Sequence, residues 1–298
     1  MNHTMIDPSF SRSQVSGASP LSRRAFLRCA AAATVVSSVG RPLRAEPSAA
    51  ALPRVPLGLD AHSLRAMGWK ARQAIDYAAS QKLDGVLFNT LKPLESLDAS
   101  HLRSLRATAA AQGIRIDIGV GSIAEGSTMF SKEHGSAEAL LALGVQVAAA
   151  VGSPAVNCRI GAFPDRSTPG GIEARIAELL VVLKAVRTRA LDAGVKFAVE
   201  NHAGDLRSEE LLQLIQAAGT DVTGVMLDPG NAVWAMEDPM RQIELLGPHV
   251  LCTSVRDWMV WETPEGATFQ WTAIGEGLMD VPAFVGQMAT LCPGVPLH

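Results

Sequence analysis

Residues 195–205 read VKFAVENHAGD, an apolar strand pattern that passes directly into a polar loop. Residues 224–231 read GVMLDPGN and repeat that arrangement further along the chain. Each apolar run ends in a carboxylate, Glu200 in the first and Asp228 in the second. Because parallel strands of a barrel end at the same rim, the two stretches predict neighbouring acidic side chains there.

Short β-like runs alternate with longer helical runs along the chain after Pro56. The predicted strands are Leu57–Ala61, Gly85–Asn89, Ile114–Val120, Ala155–Ile160, Val195–Glu200, Gly224–Asp228 and Val250–Val255. The predicted helices are Gly68–Gln81, Ala99–Gln112, Ala137–Val151, Gly171–Ala193, Ser208–Ala218, Pro239–Leu246 and Val281–Leu291. This alternation predicts a parallel sheet whose strands are joined by crossover helices.

Two architectures share this alternation, a doubly wound sheet and a parallel (β/α)8 TIM barrel. A doubly wound sheet usually has a glycine-rich phosphate-binding turn after its first strand. The first predicted strand runs instead into residues 60–63, DAHS, and polar residues also follow several other strands. Barrel active sites are built from such residues, so the predicted fold class is an α/β TIM barrel.

The chain ends where an eighth strand is expected. After the last predicted helix, residues 292–298 read CPGVPLH, a run typical of the start of another strand. A barrel needs that strand to close, since an open sheet edge leaves backbone groups unpaired. We therefore expect the eighth strand to be missing and the sequence to be truncated at its C-terminus.

The N-terminal part of the chain has a different character. Residues 22–27 read SRRAFL and precede an alanine-rich apolar run from Cys29 to Val39. Paired arginines before such a run are typical of a twin-arginine export signal. We predict a signal peptide and linker at 1–50, a barrel domain at 51–298, and a periplasmic or secreted location reached through the twin-arginine export machinery. The run is too short to span a bilayer, so no stable membrane insertion is expected.

The composition is that of an ordinary globular protein, with 48% hydrophobic residues, 18% charged residues and a formal net charge of -3. A protein that binds nucleic acid would be more basic, so nucleic acid is not an expected partner. Cys158, Cys252 and Cys292 lie outside the signal and lack metal-ligand spacing. They therefore do not predict a zinc site, and we expect Cys158 and Cys252, which lie in different predicted strands, to be buried side chains.

The carboxylates of Glu200 and Asp228 indicate a divalent cation. Two carboxylates brought together repel each other unless a cation is present. Oxygen ligands favour Mg²⁺ or Mn²⁺ over softer metals. Glu200 alternates in register with Ala198 and Lys196, which places it toward the barrel axis. The expected cofactor is therefore Mn²⁺ or Mg²⁺, bound by Glu200 and Asp228.

Four motifs occur in a fixed order along the second half of the chain. They are residues 200–205, ENHAGD; 228–231, DPGN; 254–258, SVRDW; and 274–282, IGEGLMDVP. In this order and spacing they resemble the xylose isomerase-like barrel superfamily, which includes sugar isomerases, sugar epimerases and an apurinic endonuclease. The resemblance covers about residues 57–298 and is strongest from Lys196 onward.

The resemblance implies roles for the residues of these motifs. Glu200 and Asp228 would bind the metal, and Glu200 would also move a proton. Asn231 stands where many members have a histidine, and there it would contact the metal or the substrate. Ser254 stands in place of a histidine ligand, and Arg256 stands in place of a lysine. The remaining ligand of the family, a glutamate on the eighth strand, would lie beyond the last residue of this chain.

Further candidate site residues follow other predicted strands. His202 is a candidate acid/base or ligand because its ordinary pKa lies near neutrality; the alternative is a loop histidine bonded to the backbone. His62 and Arg159 are positioned to bind sugar hydroxyls or, alternatively, to cap the rim. Arg256 and Trp258 follow the seventh strand, where aromatic faces commonly stack on sugar rings. With Asn231 they complete the predicted substrate-binding set.

The leading hypothesis is a metal-dependent sugar isomerase or epimerase, or a lyase of a related keto-sugar, acting on a small sugar or glycoside. In such enzymes a cation polarises a carbonyl while a carboxylate removes the neighbouring proton. A phosphodiesterase related to the endonuclease would need clustered histidine ligands and a basic groove, which this sequence lacks. The alternative is a sugar-binding barrel with impaired catalysis, which Ser254 in place of histidine favours.

Overall fold

The computed structural model describes residues 53–298. Within this range, seven short strands form one curled parallel sheet, and each strand pairs with the next along the chain. The strands are β1 Gly58–Asp60, β2 Gly85–Phe88, β3 Arg115–Ser122, β4 Ala155–Arg159, β5 Lys196–Glu200, β6 Thr223–Leu227 and β7 Val250–Thr253. Parallel pairing in chain order is the connectivity of a TIM barrel, so the predicted fold class is confirmed.

Helices connect consecutive strands on the outside of the sheet. The α-helices are α1 Ala71–Ser80, α2 Ala99–Ala111, α3 Ala137–Val151, α4 Gly171–Ala193, α5 Ser208–Ala218, α6 Ala232–Ala235, α7 Pro239–Leu246 and α8 Val281–Leu291. The α3 helix begins at Ser136, whose side chain accepts a hydrogen bond from Ala139 N at 3.2 Å, and ends at Gly152, with φ 81°. In residues 53–298, no helix is both long and apolar enough to cross a membrane.

Two segments differ from the predicted elements. A 3-10 helix, Ala61–Met67, follows β1 directly, because Asp60 caps its start and Gly68, with φ 64°, ends it. The segment after β7, expected as a loop, contains an antiparallel hairpin of β8 Asp257–Thr263 and β9 Gly266–Thr272. Aromatic and β-branched residues on both sides of a Pro-Glu-Gly turn are the signal that indicates this hairpin.

Residues 296–298 lie between β7 and β1, in the position of an eighth strand. Gly58 N donates a hydrogen bond to Leu297 O at 2.7 Å, within a parallel bridge to the start of β1. On the other side, Val255 N donates to His298 O at 2.7 Å. Within residues 53–298 the barrel sheet has seven strands, and this isolated bridge stands where the eighth would lie.

The barrel interior holds a small apolar cluster separate from the main core, which lies between sheet and helices. The buried members of this inner cluster are Leu87, Ala155, Ala198, Met226 and Cys252. Side chains two residues apart on a strand share a face. The inward-facing Ala198 and Met226 therefore place Glu200 and Asp228 on the inner side of the rim.

The cysteines of the described chain, Cys158, Cys252 and Cys292, are free and buried. Burial raises the pKa of Cys158 to about 12 and that of Cys292 to about 11, so the reactive thiolate is scarce at neutral pH. In a Cys29→Ser variant, we expect iodoacetamide at about pH 8 to modify none of the three in the folded protein and all three in urea, as measured by intact mass. Rapid alkylation of the folded variant would contradict this burial.

Candidate functional site

Glu200, the last residue of β5, lies at the inner rim with only 5% of its surface exposed. It pairs in register with Met226 of β6, two residues before Asp228. Its Oε2 accepts a hydrogen bond at 3.1 Å from Arg159 Nη1, and Arg159 is the last residue of β4. Two neighbouring strand ends therefore bring a carboxylate and a guanidinium group together.

Asp228 is fully buried directly after β6 and is surrounded by donors. Asn231 approaches both carboxylate oxygens, with its backbone N 3.2 Å from Oδ1 and its Nδ2 2.9 Å from Oδ2. Arg256 Nη2 donates to the same Oδ2 and to Asn231 Oδ1. The side chain of Asn201 fixes the backbone of Asp228 through two hydrogen bonds of 2.8 and 2.9 Å.

The position of Gly230 in the second motif leaves no room for a side chain. A Cβ at this position would lie 2.9 Å from Arg256 Cβ and 3.0 Å from Trp271 Cζ3. The absence of a side chain thus lets Arg256 and the hairpin strand β9 approach Asp228. The motif Asp-Pro-Gly-Asn therefore positions both the carboxylate and its guanidinium partner.

The two carboxylates have different pKa shifts. Burial would raise the pKa of Glu200, but the positive charges of Arg159 and Arg256 and the hydrogen bond from Arg159 outweigh it and hold this pKa below its ordinary value. For Asp228, burial dominates over the opposing charge of Arg256 and, with the negative charge of Glu200, raises the pKa to about 7. Glu200 is therefore ionised at neutral pH, while Asp228 exchanges its proton there.

His202 is held by the backbone on one side of its ring. Its Nδ1 contacts the carbonyl oxygen of Gly161; because a carbonyl only accepts, Nδ1 carries the proton and Nε2 is the free acceptor. Burial lowers the pKa of His202, so the imidazole is neutral at neutral pH. Asp205 fixes this loop by accepting hydrogen bonds from His202 N at 2.8 Å and Gly161 N at 3.0 Å.

Asp60, at the end of β1, is a site residue that the sequence did not single out. Its Oδ1 accepts hydrogen bonds from Asn89 Nδ2 at 2.7 Å and from His62 N at 2.8 Å. Its Oδ2 accepts from the hydroxyl of Ser254 at 2.9 Å. Ser254, which stands where a histidine ligand was expected, thus donates a hydrogen bond to Asp60. The signal for this pairing is weak, because the two residues lie at opposite ends of the sequence.

Of the tryptophans after β7, Trp271 rather than Trp258 lies against the charged groups. Trp258 is only 5% exposed and belongs to the hydrophobic core, so the structure does not present its ring to a ligand. The ring centroid of Trp271 is 4.4 Å from Arg256 Cζ, and 37% of its surface is exposed. This stacking holds the guanidinium group of Arg256 over Asp228.

A divalent cation at Glu200 and Asp228 would have to displace N–H donors. The contacts described above engage both oxygens of Asp228 and one oxygen of Glu200. Across residues 53–298, three or more His, Cys, Asp or Glu side chains come close enough to share an ion in one group only, and neither carboxylate is in it. The described residues do not fit the expected Mn²⁺ or Mg²⁺ ion.

That other group consists of Asp117, Cys252 and His298, deep in the barrel. Cys252 Sγ lies 3.8 Å from His298 Nδ1, whereas Asp117 Oδ2 lies 3.5 Å from Nε2. One potential ligand atom from each of the three side chains lies within 4.8 Å of the other two. Arg115 Nη2 already donates to Asp117 Oδ1 at 2.7 Å, which makes this a buried polar network.

A cleft of about 390 Å³ opens beside the ends of β1 and β2. His62, a predicted substrate-binding residue, lines it together with Asn89 and the cationic side chains of Arg65, Lys70 and Lys92. Cavities of this size accommodate small-molecule ligands. His62 and Asn89 both donate to Asp60, which also accepts from Ser254, so the cleft reaches the barrel rim beside β7.

A family model described as "Xylose isomerase-like TIM barrel" matches residues 75–294. The uncharacterized protein YihM of Escherichia coli K12 is 26% identical over 106 residues, which are 36% of this chain and 32% of YihM. The 3-oxo-isoapionate decarboxylase of Pectobacterium atrosepticum is 28% identical over 108 residues, 36% of this chain and 39% of that enzyme. The chain thus spans about a third of the length of the curated relatives it matches.

Solved structures share the fold at low sequence identity. A xylose isomerase domain protein from Planctomyces limnophilus has a TM-score of 0.61 at 20% identity, covering 82% of this chain and 90% of that one. A D-psicose 3-epimerase studied with D-fructose has a TM-score of 0.62 at 16% identity, covering 81% and 83%. The IolI protein with a bound zinc atom has a TM-score of 0.61 at 14% identity, covering 81% and 87%. Because the family model covers most of the chain, this protein belongs to the xylose isomerase-like TIM barrel family.

Proposed function

We propose that this protein is an isomerase or epimerase of a sugar or a related keto-sugar. The observation that carries the proposal is Glu200, a buried carboxylate kept ionised at the inner rim between guanidinium groups. A desolvated carboxylate in this position is suited to remove a proton from a carbon next to a carbonyl group. The adjoining cleft beside His62 has room for a small sugar.

The chemical step breaks a C–H bond of the substrate. Glu200 takes the proton, and the electron pair moves through the new C=C bond to the carbonyl oxygen, which gives an enediolate. Return of the proton to the other carbon completes an isomerisation, and return to the opposite face completes an epimerisation. The neutral His202, whose Nε2 is a free acceptor, is suited to accept or donate the second proton.

The relatives support this class of chemistry without naming the substrate. The names of the matched proteins include a D-psicose 3-epimerase and a 3-oxo-isoapionate decarboxylase, both of which act on sugar-derived compounds. The decarboxylase is also consistent with the lyase alternative. Loss of CO2 from a carbon next to a ketone leaves an enolate, as does removal of a proton from that carbon. We propose that the isomerase and lyase alternatives share one step, the formation of a carbanion at the carbon next to a carbonyl group.

Solvent exchange tests the proposal without knowledge of the product. The protein is incubated in D2O with a panel of ketoses, aldoses and keto-sugar acids, and proton NMR follows the loss of C–H signal next to the carbonyl. We expect one class of sugar to exchange faster than in buffer alone. If none of the panel exchanges, or if exchange is as fast with the Glu200→Gln variant, the proposal is wrong.

A sugar-binding barrel without turnover is the second candidate, and Ser254 in place of a histidine favours it. Such a barrel would bind a sugar in calorimetry but would show no deuterium exchange. Binding would also be indifferent to Glu200→Gln, because a hydroxyl can bond to an amide oxygen as to a carboxylate. Deuterium exchange into the sugar therefore distinguishes the isomerase or epimerase from the sugar-binding barrel.

We also propose that the protein is exported by the twin-arginine route. The proposal rests on the pair Arg23 and Arg24 before an apolar run. Replacing both by lysine is expected to leave the protein in the cytoplasm in unprocessed form, as cell fractionation and intact mass would show. The single variant Arg44→Lys serves as a control outside the pair. Undiminished export of the double variant would contradict the proposal.

A further inference from the structure

We infer that Arg159 and Arg256 provide the positive charge of this site, in the place where a divalent cation was expected from the sequence. The inference rests on the proposed function and deepens it, because it makes the proposed chemistry independent of metal. The ligand class is an enediolate or another pair of neighbouring, negatively polarised oxygens. Four features of the site support this inference.

The first feature is the geometry of Arg256. Its Nη2 donates to Asp228 Oδ2 and lies 2.8 Å from Asn231 Oδ1, while Trp271 stacks on the guanidinium plane. These contacts hold the group at the rim in one orientation. The Nε atom is buried without a partner among residues 53–298, and Nη1 takes no part in these contacts. Arg256 is thus fixed and charged, and since Nε is buried, Nη1 is the donor that it keeps for a ligand.

The second feature is the matching position of Arg159. One of its nitrogens, Nη1, is bound to Glu200, and its side chain is 17% exposed. Its Nε is buried and likewise has no partner in the described part of the chain. Its Nη2, which takes no part in the contact with Glu200, lies 4.0 Å from the position of an added Cβ at Gly121. A second guanidinium group therefore faces the site with unused donors.

The third feature is the state of the expected metal ligands. Arg256 and Asn231 saturate Asp228, and Arg159 engages Glu200. The hydroxyl of Ser254 points at Asp60 rather than at these carboxylates. A cation would have to remove two charge-assisted hydrogen bonds, which are about twice as strong as neutral ones. Ser254 offers the ion no histidine in return, and among residues 53–298 His202 forms no group of three potential ligands with the two carboxylates.

The fourth feature is the charge. Two guanidinium groups carry the same formal charge as one divalent cation, and both act on Glu200. When the C–H bond breaks, negative charge develops on neighbouring oxygens, and fixed donors aimed at such oxygens stabilise the transition state. The planar fork of arginine suits two adjacent oxygens. The carbon-bound proton passes to Glu200 and returns to carbon, and in an isomerisation the hydroxyl proton moves to the former carbonyl oxygen, so the step balances without a further reactant.

Metal binding gives a direct test that does not depend on activity. Mn²⁺ is titrated calorimetrically into the chelator-treated protein, and the melting temperature is measured with and without Mn²⁺. We expect no saturable binding in the micromolar range and no shift in melting temperature. Stoichiometric Mn²⁺ binding with a matching rise in melting temperature would overturn the inference.

A double variant serves as the positive control for that titration. Ser254→His combined with Arg256→Ala removes the competing guanidinium group and restores the ligand type typical of the family. We expect the double variant to gain Mn²⁺ affinity by at least roughly tenfold, the scale on which changes around a metal site act. The matched control is Arg241→Ala, which removes an exposed arginine paired with Glu244. If the double variant and wild type bind Mn²⁺ equally well, the arginine does not exclude the ion and the inference is wrong.

Exchange experiments separate this inference from the proposed function. If sugar C–H exchange in D2O persists after chelator treatment, both hold. If exchange occurs only after Mn²⁺ is added, the proposed function stands and the inference fails. In a third measurement, Arg256→Lys keeps one positive charge but not the fork, and we expect it to lower kcat more than it raises KM. An unchanged kcat in that variant would also overturn the role of Arg256.

Discussion

Replacing Glu200 by glutamine is expected to lower kcat by roughly a hundredfold or more, since general base catalysis contributes about 10²- to 10⁴-fold. The amide keeps the shape of the side chain but cannot take the proton from carbon. The measurement is deuterium exchange at the carbonyl-adjacent carbon, followed by NMR. The Glu200→Asp variant keeps a carboxylate and should retain more exchange than Glu200→Gln.

The control for this variant must account for stability. Glutamine leaves the charge of Arg159 uncompensated, so the melting temperature of the variant is expected to fall. Circular dichroism at low temperature will show whether the fold persists. Glu276→Gln is the matched control, because Glu276 is exposed in the loop before α8 and touches neither carboxylate. Equal exchange rates in wild type and in a folded Glu200→Gln variant would remove Glu200 from the mechanism.

Replacing Asp257 by alanine is expected to lower the free energy of unfolding by about 3 kcal/mol, because the N–H groups of the buried Trp258 and Met279 each lose their acceptor at a cost of about 1–3 kcal/mol. Asp257 is fully buried and accepts four backbone N–H groups. The donors are Trp258 at 2.8 Å, Gly277 at 2.9 Å, Gly275 at 3.0 Å and Met279 at 3.2 Å. Urea denaturation monitored by circular dichroism measures the change.

Asp280→Ala is the matched control for Asp257. Its side chain accepts one hydrogen bond, from Ala283 N at 3.0 Å, at the start of α8. Loss of such an N-cap typically costs about 1 kcal/mol. If both variants lose the same stability, Asp257 does not organise the loop. The hydrogen bonds from Gly275 N and Gly277 N to Asp257 connect the third and fourth sequence motifs in space.

The pKa of Asp257 adds a pH dependence to this prediction. Burial would raise this pKa, but the four backbone hydrogen bonds outweigh it and lower the pKa below its ordinary value. A depressed pKa means that the stabilisation is present at neutral pH and is lost as the pH falls through the acid range. Wild type should therefore lose more stability than Asp257→Ala on acidification below about pH 4.

Much of the fold could be predicted from the sequence because strand and helix patterns are local. The seven strands agree with their predicted positions to within a few residues, and the alternation along residues 196–200 places Glu200 on the inner face. The hairpin Asp257–Thr272 was missed because its polar and aromatic residues are also typical of an active-site loop. Its turn signal, Pro-Glu-Gly, was present in the sequence.

The candidate site was predictable in its carboxylates but not in their partners. Glu200 and Asp228 could be identified because each one ends an apolar run. That pattern is visible within a few consecutive residues. Their pairing with Arg159 and Arg256 involves residues on different strands, and no periodicity along the chain encodes it. The expectation of a bound cation came from the carboxylates considered without these partners.

By itself, the sequence determined the parallel sheet, the inward side of each strand and the acidic rim, because side-chain alternation and strand order suffice for these features. Only the tertiary structure decided which charge neutralises each carboxylate. Closing the sheet brings Ser254 to Asp60 and Arg256 to Asp228. Electrostatic interactions depend on distance in space and on burial, and neither can be read from positions along the chain.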